Sequence, residues 1–460
     1  VLCNALAADS TMDGAILDGA NLSGAVFSGA SLRGARFVNA DLMATDFSGA
    51  DMTGAIVNGA VLVAGKTVLC RAILEGVDFS GHDLRGFDFS GTNLRNANLS
   101  GANLQGANLT QADLTGAKLI GATFVAGSTI FSRTDLSKAD LSNAFLQGVD
   151  LSGTNLAGTN LSAANMAGVT GLIKAGISKD TVFSGAILVG VNLCGIDLAG
   201  VQFAGADMKS ALLTGAMLPG ANLSGACLEG AQLAGAEATG SDFSESDLTG
   251  ANLVGARLCK AKMANCSIIL GSTKIEGVDL QGADLSGVEL SGFSLAHVTL
   301  SDALLIGTNL SRCILDSSTA LSPKTRFSHA DLSDVVLSSF DLSGMDFEGA
   351  KLIRTKLSSA KLVGSKLSSS DLTGADLSSA DLSRSTLDGA ILSAGSTILR
   401  AVILDSVDLS NRDLRGFDLS DAHLASANLQ GADLSGTVLT STVLAHANMK
   451  NVLLGAHASL

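Results

Sequence analysis

The sequence lacks Trp and Tyr altogether and contains only 2 Pro and 17 Phe in 460 residues. Its apolar content, 47% of all residues, therefore comes mainly from Leu and Ala. These two residues recur at regular positions, which predicts a long thin core rather than one large compact core. A chain of this length escapes the size limit of a single core when it is an array of repeats, because each repeat packs only on its neighbours.

Long apolar runs, abundant cysteine and net positive charge are also missing. No apolar stretch approaches the roughly 18 residues of a membrane-spanning helix, so we expect a soluble protein without a transmembrane segment. The 7 cysteines are scattered and lack metal spacing, which argues against a disulfide framework or a zinc site. The net charge of −14 argues against direct nucleic-acid binding through phosphates.

A five-residue repeat is what the sequence does contain. Residues 98–117 read NLSGANLQGANLTQADLTGA, with Leu at every fifth position and Ala two places before each Leu. In an extended segment, residues two apart point the same way, so both face inward. The other three positions hold Asn or Asp, Ser or Thr, and Gly, which favour turns. Each unit is predicted to be a short side followed by a corner.

Interruptions of the repeat indicate how many sides close one coil. The phase shifts by two residues after Leu62, Phe124, Met166, Ile268, Leu310 and Leu392. Without the extra residues, all spacings between these points are multiples of twenty. Insertions confined to one edge of a four-sided coil would produce that spacing. The sequence therefore predicts four five-residue sides per coil, with six breaks along one edge.

Four of the breaks are clean two-residue insertions, and those at 167–182 and 311–326 are longer. We interpret the edge that carries them as a candidate partner-binding edge, although tolerated corner bulges would show the same pattern. The inserted pairs are Gly65 and Lys66, Gly127 and Ser128, Gly271 and Ser272, and Gly395 and Ser396.

One coil after each break, a larger residue replaces the small inward one. We expect these side chains to fill space that the insertion opens in the core, because empty core volume is costly. The predicted gap-filling residues are Phe87, Val149, Val191, Phe293, Val335 and Phe417.

From about Leu17 to Leu454 the chain resembles the pentapeptide-repeat family, whose unit reads A-[DN]-L-x-x. The resemblance implies an all-β fold, a right-handed quadrilateral parallel β-helix (a solenoid) of about 22 coils. We expect an N-terminal cap or processed remnant at 1–11, one continuous β-helix at 12–455 and a C-terminal end at 456–460. Two similar stretches, VDFSGHDLRGFDFS (77–90) and VDLSNRDLRGFDLS (407–420), suggest internal duplication.

Chemical motifs are weak, and we predict no catalytic residue, cofactor or metal. The Gly65-Lys66-Thr67 run is similar to a phosphate loop, but Ala60 occupies the place of the required Gly and the other breaks lack Lys. The 6 histidines form no cluster with metal spacing, and His82 is unusual in taking a small-residue position. An enzyme is not expected.

Two functions remain open. The first is a non-enzymatic scaffold that binds a protein partner or a multi-subunit complex along its surface. The second is DNA mimicry, because some members of the family inhibit type II topoisomerases by imitating B-DNA. Mimicry needs an acidic stripe, and one coil instead carries a basic belt of Lys351, Arg354, Lys356, Lys361 and Lys366.

Open coil ends make end-to-end association a further option. The family is abundant in cyanobacteria and occurs in the thylakoid lumen, which suggests a peripheral role on a photosynthetic complex. The compartment is predicted as thylakoid lumen, chloroplast or cyanobacterial cell, with the cytoplasm as the alternative.

Overall fold

The computed structural model describes residues 2–269 and 271–455. The chain divides into two compact units, Val1–Ala236 and Glu237–Leu460. Both are built from the same five-residue element, which consists of one bridging residue, a buried residue, a two-residue turn and a small buried residue. The expected C-terminal end, 456–460, lies outside the described residues.

Residues 21–25 show how one element forms. Leu22 and Ala25 are fully buried, whereas Asn21 lies on the surface and bridges to the next coil. The Ala25 amide donates to the Leu22 carbonyl (2.9 Å), which closes the turn. Gly24 has φ 71°, a left-handed conformation that glycine adopts without the steric cost of a Cβ. The Gly of the repeat thus makes the corner, and Leu and Ala make the core.

Parallel bridges stack the coils of the first unit. Asn21 pairs with Asp41, the equivalent residue of the next coil, and the bridging residues between them are Val26, Ser31 and Arg36. Two hydrogen bonds form each bridge: the Leu22 amide donates to the Asp41 carbonyl, and the Asp41 amide donates to the Ala20 carbonyl, both at 2.9 Å. One coil therefore contains four bridging positions, and the unit is a parallel β-helix with isolated bridges instead of long strands.

The second unit follows the same rule. Asp331 pairs with Lys351, which in turn pairs with Asp371. Identical inward positions lie above one another in successive coils, so like side chains stack. The rings of Phe327 and Phe347 are almost parallel with centroids 5.1 Å apart, one of several such stacks in the core.

The clean breaks lengthen one corner. In the first unit the bridge partners Asp46 and Val68 are separated in sequence by two positions more than an ordinary pair, and so are Asn108 and Ile130. Both clean breaks of this unit lie at the same corner of the coil. In the second unit the pairs are Asn252 with Lys274 and Asp376 with Ile398, and again the two breaks share a corner.

The two longer breaks differ from the prediction that all six lie on one edge. In the second unit Ser294 pairs with Ile314 at the ordinary sequence separation, whereas Thr299 and Ala320 are one position further apart. The partners of the next bridge are separated in sequence by two positions more than an ordinary pair. The extra residues of 311–326 are thus divided between two successive corners.

The longer break at 167–182 in the first unit is divided in the same way. Gly176 pairs with the backbone around Asn155, one position later than the ordinary spacing would place that partner. Its amide donates to the Thr154 carbonyl (2.9 Å), and its carbonyl accepts from the Leu156 amide (3.0 Å). Sequence spacing counts only the total shift, so it could not separate one inserted pair from two single insertions.

Two local features complete the fold. A 3-10 helix spans Leu172–Lys174 and forms one corner of the longer break in the first unit. Near the start of the chain, Leu6 and Thr11 already bridge to Val26 and Ser31. The coil pattern therefore includes the segment for which a cap was expected.

Gly148, which lies beside a break loop, should be harder to replace than a glycine with open space around it. Gly148 has φ 68°, and a Cβ there would lie 3.0 Å from the Ala126 side chain of the break loop. Gly14 has φ 66° and open space around it. Both Gly→Ala changes should cost about 1–2 kcal/mol of unfolding free energy through backbone strain. Gly148→Ala should cost about 1–3 kcal/mol more because of overpacking. Urea denaturation of both variants tests this, and equal losses would contradict it.

Candidate partner-binding corners

In an ordinary corner the bridging Asn or Asp caps the turn. The Asp41 carboxylate accepts a hydrogen bond from the Met43 amide (3.0 Å), and Asp371 accepts one from Thr373 (2.9 Å). Asn side chains also link coils, since the Asn98 amide group donates to Asp78 of the preceding coil (3.0 Å). This capping explains why the repeat prefers Asn or Asp immediately before Leu.

At the break corners a threonine performs the capping. Thr67 accepts a hydrogen bond from the Val63 amide (3.2 Å) through its hydroxyl, which donates to the Leu42 carbonyl of the preceding coil (2.8 Å). The Thr67 backbone amide donates to the Val63 carbonyl, which closes the longer loop. The same hydroxyl contacts are made by Thr129 with Val125 and Leu104, Thr273 with Ile269 and Leu248, and Thr397 with Ser393 and Leu372.

Where threonine caps the turn, the bridging position holds a residue other than Asn or Asp, as it also does at some ordinary corners such as that of Leu212. Val61 and Ile391 take this position in the first and last clean breaks, and about half of each side chain's surface is exposed (51% and 52%). Val68 and Ile398 follow the same breaks and are also exposed. Exposed apolar side chains also mark the other two corners, at Val125, Ile130 and Ile269. Grouped apolar residues on an otherwise polar surface are typical of interaction sites.

The predicted edge residues lie at these corners. Gly65, Gly127, Gly271 and Gly395 have left-handed φ values of 68°, 69°, 83° and 78°, which explains the Gly of each inserted pair. Lys66, Ser128, Ser272 and Ser396 are exposed. Within each unit the two clean breaks share one corner, and binding there stays a prediction. Sequence reasoning missed the apolar residues around the pairs, although Val or Ile in the Asn/Asp place was a readable signal.

The residues predicted to fill gaps are all buried. Phe87, Val149, Val191, Phe293, Val335 and Phe417 are each at most 4% exposed. Their role as gap fillers stays a prediction.

In the coil that follows the break loop, an Asp–Arg ion pair faces that loop. Arg415 donates two hydrogen bonds to the Asp413 carboxylate (2.8 and 2.6 Å), and Arg85 pairs with Asp83 with the same geometry. In the second unit the pair borders an open cavity of about 330 Å³, together with Leu392, Ala394 and Phe417. The Arg415 side chain, aided by its backbone amide, lowers the pKa of Asp413 to about 2, so the pair is ionised at neutral pH.

Each cation of the basic belt has an acidic residue in at least one neighbouring coil. Lys351 lies between Asp331 and Asp371, and Lys361 lies between Asp341 and Asp381. Arg354 forms a two-bond ion pair with Asp334 (2.6 and 2.7 Å). The remaining two, Lys356 and Lys366, bridge to Asp376 and Asp346. The belt is therefore a ring of cations with acidic residues beside it instead of a free basic patch.

Residues 2–269 and 271–455 contain no group of three or more His, Cys, Asp or Glu side chains arranged to hold a metal ion. Burial raises the pKa of the Cys266 and Cys313 thiols to about 12, so these cysteines are weak nucleophiles. Over the same residues, no helix has the length and apolar character needed to span a membrane.

These observations define a class: a parallel β-helix of short repeats with exposed corners. The chain belongs to the pentapeptide-repeat family. The family model of pentapeptide repeats, eight copies long, matches most of the sequence, at residues 1–34, 20–59, 64–91, 92–125, 129–168, 179–215, 196–231, 226–265, 273–312, 330–368, 355–393, 403–440 and 418–454. It indicates no catalytic family.

Solved structures of other pentapeptide-repeat proteins are similar to this chain. HetL, a protein involved in heterocyst differentiation regulation in the cyanobacterium Nostoc, is 24% identical over 65% of this chain and 90% of its own, with a TM-score of 0.14. A thylakoid lumen protein of Arabidopsis thaliana is 28% identical over 31% and 71%, with a TM-score of 0.13.

A third similar structure is QnrB1, a plasmid-mediated fluoroquinolone resistance protein. It is 19% identical over 61% of this chain and 92% of its own, with a TM-score of 0.15. No curated protein sequence matches the chain significantly.

The threonine caps can be tested by replacing Thr397 with Val, which has the same shape without the hydroxyl. The change leaves the Ser393 amide without its acceptor, and the Leu372 carbonyl keeps only the hydrogen bond from the Ala375 amide. We expect a loss of about 1–3 kcal/mol of unfolding free energy in urea denaturation. Thr440→Val, at an exposed turn position, is the control and should change stability by less than about 0.5 kcal/mol. Equal effects would rule out a capping role.

The Asp413–Arg415 pair makes a prediction about pH. Because the pKa of Asp413 is lowered from 3.8 to about 2 in the folded protein, the stabilisation from this carboxylate is complete above pH 3.8 and is lost as the pH falls through about 2. Arg415→Gln should return the pKa of Asp413 towards 3.8. NMR titration of the carboxyl carbon measures the pKa of Asp413, with Asp83 as the unchanged internal control. An unaltered Asp413 titration in the variant would show that the ion pair is not its cause.

Proposed function

We propose that this protein is a non-enzymatic scaffold that binds a protein partner or a large complex at its break corners. The exposed Val and Ile residues that replace Asn or Asp at these corners are the observation that carries the proposal. A single exposed apolar residue is ordinary, but each unit repeats the same combination of inserted loop, threonine cap and apolar neighbours.

The form of the surface is part of the proposal. We propose that each unit is a right-handed quadrilateral solenoid and that the chain contains about 22 coils. The four bridging positions per coil support four sides. Each corner then forms a straight edge, and two break loops of one unit lie along the same edge.

DNA mimicry is less well supported. A mimic of B-DNA needs a continuous line of negative charge. In the second unit each side of one coil instead presents a lysine, at Lys351, Lys356, Lys361 and Lys366. This ring interrupts every column of outward residues in that unit.

A peripheral place on a photosynthetic complex, in the thylakoid lumen or in a cyanobacterial cell, follows only from what is known of other family members. We include it as the setting in which a partner should first be sought. End-to-end association is a second way in which such a scaffold could assemble.

Site-specific photo-crosslinking tests the docking surface. A benzoylphenylalanine placed at Val68 or Ile398 should crosslink one and the same protein in native extract. The matched control is Val438, which lies in the same column as Ile398 without a break beside it and is similarly exposed (39% against 45%). Crosslinks of equal yield from Val438 would contradict the proposal.

Deletion of the inserted pairs gives an independent check. A variant without Gly65-Lys66 and Gly395-Ser396 should lose the crosslinked partner while circular dichroism shows that it still folds. If the folded variant retains the partner, the corners are tolerated bulges and binding occurs elsewhere.

A further inference from the structure

The ladder between coils is interrupted beside the first break. Among the described residues, no bridge joins 56 to 78, 61 to 83 or 68 to 88, although these are the expected partners. The coil is paired again on both sides of this gap, since Asp51 bridges to Ile73 and Asp78 bridges onward to Asn98. Three of four bridging positions are thus open between residues 55–70 and 77–90, which we call the first seam.

The second unit contains an equivalent gap. In the part of the chain that the structure describes, no bridge joins 386 to 408, 391 to 413 or 398 to 418. The flanking pairs Asp381 with Ile403 and Asp408 with Asn428 are intact. This second seam lies between residues 385–400 and 407–420. The two seams contain the similar stretches 77–90 and 407–420, so the same sequence accompanies the same gap.

Large inward side chains accompany the open bridges. The first seam has Val77, His82 and Phe87 at three successive positions where Ala is usual, and the second has Val407, Arg412 and Phe417. The break after Phe124 provides a comparison within the first unit. There Ala139 and Ala144 precede intact bridges at Asp140 and Phe145, and only Val149 precedes an open one. At the two clean breaks of the first unit, the open bridges therefore follow the larger inward residues.

One side chain crosses the second seam. Arg412 donates from Nη1 to the Ala390 carbonyl (2.6 Å). In an ordinary coil that carbonyl would accept from the next bridging amide, here Asp413, so the arginine replaces a ladder bond. The side chain is partly buried, and its stem packs where Ala would lie.

The equivalent residue of the first seam makes no such contact. His82 contacts the Ser80 carbonyl of its own coil through Nδ1 (3.1 Å), and its ring meets Phe79 edge-on. Its Nε2 is buried and has no hydrogen-bond partner among the described residues. The duplicated segments thus differ at this position, because Arg412 reaches across its seam and His82 does not.

We propose that the two seams are the lines at which each β-helical unit opens first, and that the side chain at position 82 or 412 is the latch that sets how readily each opens. Local opening is easiest where backbone hydrogen bonds are missing. The Arg412 bond holds the second seam, and the first seam lacks it. This inference does not depend on the proposed binding function.

Residue-resolved amide hydrogen exchange tests the seams directly. Protection factors of Asp78, Asp83 and Asp88 should be at least about tenfold lower than those of Asn98, Asn103 and Asn108, which lie one coil further on the same sides. In the second unit Asp408, Asp413 and Asp418 should differ in the same way from Asn428, Asp433 and Val438. Protection factors within twofold of the controls would overturn the proposal.

Exchanging the latches tests their role. His82→Arg should raise protection in the first seam by about tenfold, and Arg412→His should lower it in the second by a similar factor. Arg384→His, an exposed position in the coil before the second seam, is the control and should leave the seam unchanged.

The flanking coils separate a local effect from general destabilisation. If Arg412→His lowers protection equally in the second seam and at Asn428 and Asp433, the arginine stabilises the whole unit and is not a latch. Unchanged amide protection of the seams in both exchange variants would also contradict the role of these side chains as latches.

Discussion

Backbone pairing between successive coils is the constraint on which the rest of this structure depends. Each bridging residue must lie over its partner in the next coil, so every side must have the same length and every corner the same bend. The five-residue repeat satisfies this demand: Gly or another residue in the left-handed region makes the corner, and Asn or Asp fixes it. Leu and Ala then stack in the core because the ladder places identical positions above one another.

A departure from the constraint has to be compensated nearby. When an extra pair lengthens a corner, the turn loses its Asn or Asp cap and a threonine of the next side replaces it. The coil that follows carries larger inward residues, and some of its bridges to the preceding coil are absent. The surface changes at the same place, because the freed bridging position can be apolar. Corner, core and surface are therefore altered together at each break.

Much of this could be predicted from the sequence. The period and the multiples of twenty were sufficient for parallel coils with four bridging positions, and Leu22 and Ala25 lie inside as their spacing indicates. The longer breaks were placed wrongly, because phase arithmetic cannot tell where within a coil single residues such as those around Gly176 and Ala320 are added. The threonine caps and the Arg412 bond join residues of different coils, so they required coordinates. The candidate corners were located through their Gly residues, while the exposed apolar side chains of the proposed binding surface were overlooked.

The ring of lysines between acidic coils has a consequence for how the chain finds its native state. A nearly uniform repeat permits many false alignments, because one coil could stack on the wrong neighbour and still form every backbone bond. In the second unit, Lys351 and Lys361 meet Asp on both sides only in the native alignment. A slip by one coil would take an acidic partner from each lysine and bring carboxylate against carboxylate, Asp331 against Asp371 and Asp341 against Asp381. The charges therefore distinguish this coil from the others in a nearly uniform repeat and favour its native alignment.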